Sequence, residues 1–399
     1  MDVSVNAAND PRERELASML PVYGQLPFVP VAGEGCEIIT ADGRRILDLY
    51  GGHAVAALGY GHPALTAAVA EQAATLVFQS NAVALEVRAR AAELLLECAP
   101  RALGRVFLVN SGAEANENAL RMALKATGRR RILAVTHGFH GRTAAAGAAT
   151  WGSERWYGFP GRPFDIDFIE RDNCDSAAGL VNADVAAVIV EPVQGVAGAF
   201  DLSGEFLNTL RELTRRHGAL LIADEVQSGM GRSGEFFAMQ RFGVEPDILT
   251  AAKSLGGGIP CGAVLCTEDV GRHFGAGDLG STFGGCPVAS AAIATVIETI
   301  GREDLLANVR RREQEIRATC ITGPVRSVRG LGLLLGLVCD RPAAEVRDRL
   351  LQEDILVGTS ADPAVVRILA PLTLEAAHVG RLSRALRLIG ATRSAPVTE

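Results

Sequence analysis

Lysine is almost missing from this sequence. Of its 39 basic Lys and Arg residues only two are lysine, Lys125 and Lys253. On a surface either base supplies solubilising charge, so the skew says little about fold. It says more about chemistry, because a lysine ammonium can lose its proton and attack a carbonyl, which a guanidinium does not. Long apolar runs are missing too. The longest, Leu331 to Cys339, contains two glycines and is far short of the roughly 20 residues a membrane helix needs. The first residues, MDVSVNAANDPRERELASML, lack a basic start followed by an apolar stretch and so predict no secretory leader. There is no CxxC and no Cys/His cluster, so the eight cysteines predict reduced thiols and a cytoplasmic protein. Cys261 and Cys266 resemble half a metal site, but no second pair accompanies them and no metal is expected. A net charge of −7 argues against a general nucleic-acid binder.

What is present is a globular composition. With 399 residues, 48% hydrophobic and 21% charged, the chain can bury a large core, and its length predicts two or three domains. Repeats and low-complexity tracts do not interrupt it. Residues 1–20 read as a loose arm or short helix. CEIITADGRRILDLY reads as two short strands around Ala-Asp-Gly. Residues 63–98 are alanine-rich with helical spacing. Short apolar runs then alternate with helical stretches: RVFLVN before a helix at 112–127, RRILAV, VAAVIVEP before a helix at 204–217, ALLIADE, DILTAAK and GAVLCT. Uninterrupted strands alternating with helices predict an α/β fold with a mostly parallel sheet. After about residue 290 come an Arg/Glu-rich helix, a glycine-rich strand at 329–338, and helices at 342–353 and 374–390. These predict a second, smaller α/β domain joined by the N-terminal hairpin. The expected division is 1–55 with the small domain, 56–295 as the large domain and 296–399 as the C-terminal small domain.

Four stretches could carry chemistry. In Asn110-Ser111-Gly112-Ala113 a strand runs into a helix, and free N–H groups at a helix start favour an anion. A tight turn with Ser111 as helix cap explains the same residues. Asp224 ends an apolar strand, where a carboxylate is costly unless paired. It could hold a protonated ring nitrogen or cap a turn. Lys253 follows a buried strand and precedes three glycines, a place where burial lowers an amine's pKa and suits it to imine formation. Its alternative is a surface lysine, which a chain using arginine for surface charge makes less attractive. Lys125 falls near the end of an amphipathic helix, where a cation favours the dipole, and reads as structural. In Phe139-His140-Gly141-Arg142, Phe139 could stack on a flat ring and Arg142 could clamp a carboxylate, or they could serve as core packing and a surface ion pair. Together these are the parts that pyridoxal phosphate needs.

The ordered set NSGAEAN, FHGRT, EPVQG, DEVQSGMGR, PDILTAAKSLGGG and STFGG resembles the class III pyridoxal-phosphate-dependent aminotransferases of fold type I, most closely their acetylornithine branch. The resemblance runs from about Tyr23 to Ile389. It implies that Lys253 holds the cofactor and moves the substrate proton, that Asp224 pairs with the ring nitrogen, that Gln227 reaches the ring hydroxyl and that Phe139 stacks on the ring. Ser111, Gly112 and Ala113 would hold the phosphate, helped by Thr282 from a neighbouring subunit, so a homodimer is implied. Arg142 and Arg367 would clamp substrate carboxylates, with Tyr23 and Asn81 lining the substrate pocket. The implied reaction transfers the terminal amino group of an N-acylornithine to 2-oxoglutarate. Two positions depart from the family. Val196 stands where a glutamate is usual, a carboxylate that would pair with Arg367 in one half reaction and release it in the other. That departure keeps open other donors (N-succinylornithine, acyl-lysine, β- or γ-amino acids) and pyruvate or glyoxylate as acceptor; a glutamate-1-semialdehyde-type aminomutase, which shares fold and cofactor, is a separate alternative. Cys286 stands where the family has asparagine, which predicts local repacking.

Overall fold

The computed structural model describes residues 10–391; the outermost parts of the expected 1–55 and 296–399 segments lie outside them. Seven strands form the central sheet in the order Leu103–Val109, Gly262–Thr267, Ile248–Ala251, Leu220–Asp224, Val185–Val190, Arg131–Val135, Asp165–Ile169. Only Gly262–Thr267 runs against its neighbours. Side chains alternate between the two faces, as the pleat requires. Leu221 and Ala223 share a buried cluster with Phe206, Leu207 and Leu210, whereas Ile222 joins one with Ala119 and Leu120. Both faces are thus covered, which is why Val185–Val190 is apolar and buried at every residue.

The covering helices form where capping and pattern agree. Gly112–Thr127 starts with Ser111 Oγ accepting from Glu114 N at 3.1 Å, and Gly204–His217 starts with Ser203 Oγ accepting from Phe206 N at 3.1 Å. Both end at a left-handed glycine, Gly128 and Gly218. The Ala-rich stretch becomes two helices, Pro63–Thr75 and Glu86–Cys98, both packed on Pro287–Arg302. The N-terminal arm holds a helix over Pro11–Ser18.

Two smaller sheets flank this layer. Pro30–Glu34, Glu37–Thr40 and Arg45–Asp48 pair antiparallel, and Ile355–Leu356 adds to the last in parallel. Val325–Leu331, Leu334–Cys339 and Val365–Ile368 form an antiparallel sheet that pairs Gly336 with Arg367. The single glycine-rich strand expected at 329–338 is therefore a hairpin. Gly332 turns it with φ 59°, and a Cβ there would lie 2.3 Å from Arg232 O, so no other residue fits. The later helices are Leu305–Thr319, Ala343–Gln352 and Ala376–Ala391. Among the described residues no helix is long and apolar enough to cross a membrane, and no cluster of three or more metal-ligating side chains occurs. All eight cysteines are free.

Candidate active site

Five parallel strands of the central sheet deliver a cavity-lining residue at or shortly beyond their C-terminal ends. Ser111 follows Leu103–Val109, Phe139 follows Arg131–Val135, Glu191 follows Val185–Val190, Asp224 ends Leu220–Asp224, and Lys253 follows Ile248–Ala251. This is the edge where open parallel sheets bind ligands. A cavity of about 520 Å³ opens there, walled by Tyr23, Ser111, Gly112, Ala113, Phe139, Arg142, Asp224, Gln227 and Lys253 among others.

Asp224 is buried and multiply bonded. Its Oδ2 lies 2.7 Å from His140 Nδ1 and accepts from Asn116 Nδ2 at 2.8 Å, while Oδ1 accepts from Val226 N at 3.1 Å. Asn116 is held in turn by Thr250 Oγ1, which donates to its Oδ1 at 2.7 Å. Burial disfavours the His140 cation, but the hydrogen bond to Asp224 and its charge outweigh burial and lift the imidazole above its ordinary range. The carboxylate is therefore held by three partners, His140, Asn116 and the Val226 backbone.

Lys253 opens a short 3-10 turn, Lys253–Gly256, with φ 43°, a backbone conformation uncommon for a side chain with a Cβ. Burial pushes its amine below the ordinary lysine range, against the pull of Asp224 and Glu191. Glu191 lies in the same wall and accepts from Phe139 N at 2.7 Å; burial, and then the Asp224 charge, raise its carboxyl to about 7. Arg232 is fully buried and donates to Ser254 Oγ at 3.4 Å, next to the lysine.

The strand-to-helix turn is present, and Ser111 caps the helix that follows it. Close packing leaves no room beneath it: a Cβ on Gly112 would lie 2.6 Å from Val226 Cγ1. Phe139 lies half-buried in the wall. Arg142 is exposed at the rim, its guanidinium 4.5 Å from the Trp156 ring centre and 6.0 Å from that of Phe139. Tyr23 reaches the pocket but is 82% exposed.

Three expected residues lie elsewhere. Asn81 donates to Ser281 O and Gly284 O at 3.0 Å, and Thr282 sits exposed on that same loop; neither walls the cavity of this chain. Arg367 is buried beside the cavity, not in its lining. Its Nε donates to Thr359 O at 2.7 Å, Nη1 to Gly195 O at 3.2 Å and Nη2 to Tyr50 Oη at 2.9 Å. Lys125 is paired with Asp278 near its helix end, away from the site. Cys286 precedes Pro287–Arg302 without capping it. The roles of Asn116, His140, Glu191 and Tyr50 escaped the sequence reading. Glu191 carries the same signal as Asp224, a carboxylate at the end of a wholly apolar strand.

Residues 19–389 match the aminotransferase class-III family. The chain is a class III aminotransferase. It is 40% identical to acetylornithine aminotransferase of Corynebacterium efficiens over 383 residues, which is 93% of this chain and 94% of the relative. It is 41% identical to acetylornithine aminotransferase of Methanopyrus kandleri over 355 residues, 88% of this chain and 91% of that one. The ornithine aminotransferase of Toxoplasma gondii, in a crystal structure with partial occupancy of PLP at its active site, superposes with a TM-score of 0.88 at 27% identity, covering 96% of this chain and 95% of that one. Class III aminotransferases depend on pyridoxal 5′-phosphate, and the residues present fit it. Gln227 has a buried Oε1 without a protein partner, facing a wall that also presents an amine, a carboxylate and a helix N-terminus. Those are acceptors and donors for a hydroxyl, an aldehyde, a ring nitrogen and a phosphate.

Proposed function

We propose that this aminotransferase moves the terminal amino group of N2-acetylornithine, or a related N-acylornithine, to 2-oxoglutarate, giving the semialdehyde and glutamate in arginine biosynthesis. The observation that carries the substrate is the pair of acetylornithine aminotransferases matching most of the chain at about 40% identity. The cofactor, when bound, supplies an electron-poor ring that stabilises negative charge on the carbon bearing the amino group.

The residues divide the remaining work. Asp224 would pair with the ring nitrogen, and His140 with Asn116 keeps that carboxylate aimed. Gln227 meets the ring hydroxyl, Phe139 covers the ring face, and Ser111, Gly112 and Ala113 hold the phosphate. Lys253 would hold the cofactor, and its Nζ, once free, would take the proton from the substrate carbon and return it on the far side of the substrate nitrogen, two bonds away. A lowered amine pKa suits that duty, because a neutral amine is a base at working pH. Arg142 and Arg367 bind carboxylates, and Tyr23 closes the mouth. Thr282 and Asn81 belong to a second subunit's site, so the working unit is a homodimer. Support for this comes from the exposure of Phe78, Val77 and Phe283 around that loop. The division 1–55, 56–295 and 296–399 is supported by the separate sheets, and a cytoplasmic setting by the free cysteines.

Val196 favours a second reading, a different acyl donor or oxo acid within the same family. A donor and acceptor panel on the purified protein decides between them. N2-acetylornithine with 2-oxoglutarate should give the highest kcat/KM. A preference for pyruvate or glyoxylate would favour the second reading, and turnover without any oxo acid would favour an aminomutase.

A further inference from the structure

The Arg367 guanidinium is buried, yet among the described residues no carboxylate lies within ion-pairing distance of it. Its three hydrogen-bond partners, Thr359 O, Gly195 O and Tyr50 Oη, are all uncharged. Burial lowers the Arg367 pKa, only partly opposed by Tyr50 and Glu191, and a buried cation without a directly paired carboxylate is costly unless a ligand supplies one. At position 196 only the backbone is engaged, Val196 O accepting from Ala361 N at 2.9 Å.

The Tyr50 hydroxyl is oriented by its surroundings. A guanidinium can only donate, so Tyr50 Oη accepts from Arg367, and the same oxygen lies 2.7 Å from His53 Nδ1. The turn that brings these groups together is unusual. Gly51, Gly52, His53 and Ala54 have φ of 54°, 55°, 65° and 68°, four successive left-handed residues, two of them with a Cβ. Such strain persists only where the surroundings fix it. Here Asp48 Oδ1 accepts from Tyr50 N at 2.7 Å and Gly51 N at 2.9 Å, and Ser254 Oγ, next to Lys253, donates to Ala54 O at 2.7 Å. Room for the tyrosine ring is also built in. Gly358 pairs with Arg367, and a Cβ there would lie 2.0 Å from Tyr50 Cε2.

We propose that Tyr50, in contact with His53, is a positioning residue that holds Arg367 without neutralising it, so that the guanidinium stays available to a substrate carboxylate in both half reactions. This rests on the reading of Arg367 as a carboxylate clamp. An enzyme that must bind donor and acceptor in turn at one place needs some way to tell which is due. A clamp whose charge is never masked gives none. The oxo acid therefore also binds the form that is waiting for the amino donor, and competes with it. The neutral state of His53 agrees with this: burial, Arg367 and Lys253 all lower its pKa.

The test is calorimetric titration of the cofactor-loaded enzyme with 2-oxoglutarate in the absence of any amino donor. Wild type should bind with a Kd within about tenfold of the KM for 2-oxoglutarate, and 2-oxoglutarate should inhibit competitively against the donor. Tyr50→Phe keeps the ring and removes only the hydroxyl. It should weaken this binding about tenfold or more, as loss of a hydrogen bond to a charged group does, with saturated kcat and cofactor absorbance little changed. Absence of donor-free binding by wild type would overturn the proposal without any variant. Weakening in Arg367→Lys but not in Tyr50→Phe would overturn the role of Tyr50 and leave the clamp standing. Unchanged binding in both variants would overturn the clamp itself.

Discussion

His140 Nδ1 lies 2.7 Å from Asp224 Oδ2, inside the sheet edge and out of contact with solvent. The imidazole shares this oxygen with Asn116. Asp224 thus reaches the pocket already bonded, and its orientation is set before any ligand arrives. Replacing it with alanine should lower kcat roughly a hundredfold or more, the scale seen when one preorganised electrostatic group is removed. His140→Phe removes a single donor and should cost about tenfold. Steady-state kinetics beside cofactor absorbance separates the two, since His140→Phe should still bind the cofactor.

Glu191 gives a pH prediction. Its carboxyl is raised to about 7 by burial, so in the unfolded chain it ionises at lower pH than in the folded one. Unfolding then releases a proton between those values, and stability falls as pH rises from about 4.5 to 7. Glu191→Gln removes the ionisable group and keeps an acceptor for Phe139 N. Thermal unfolding across pH 4.5 to 8 should show the variant gaining on wild type until about pH 7 and then running parallel. The full gap should be roughly 3 kcal/mol at most. Parallel curves throughout would mean that Glu191 is ionised with an ordinary pKa.

Gly195 sits between several of these groups. A Cβ on it would lie 1.6 Å from Gln227 Oε1, and its carbonyl accepts from Arg367. Gly195→Ala should cost about 1–3 kcal/mol by overpacking and should raise the KM for 2-oxoglutarate by displacing the clamp. Gly161→Ala, where a Cβ meets nothing within 4 Å, should change neither denaturation midpoint nor KM.

Much of this architecture is legible in the sequence where local and tertiary preferences agree. The helices Gly112–Thr127 and Gly204–His217 carry a serine at one end and a glycine at the other, and they form where the sequence places them. The edge strand Asp165–Ile169 gives no such signal, because two of the five residues of DIDFI, Asp165 and Asp167, are charged and exposed. The hairpin at Gly332 is hidden for another reason: its turn is made by backbone crowding against Arg232 and not by polar residues. At the site, Lys253 and Asp224 stand out because each is a charged residue at the end of an apolar strand. Tyr50 and His53 do not, since their value depends on Arg367, more than 300 positions away in the chain and adjacent only in space. Asn81 and Thr282 lie apart from this chain's cavity, a placement that no local pattern in the sequence signals.

The scarcity of lysine makes the central claim directly measurable. Borohydride reduction of the purified enzyme fixes any imine between cofactor and amine, and peptide mass spectrometry then reports which residue carries the added mass. The label should fall on the peptide containing Lys253 and not on Lys125, and Lys253→Ala should lose both label and turnover. A label on Lys125, or full turnover in Lys253→Ala, would contradict it.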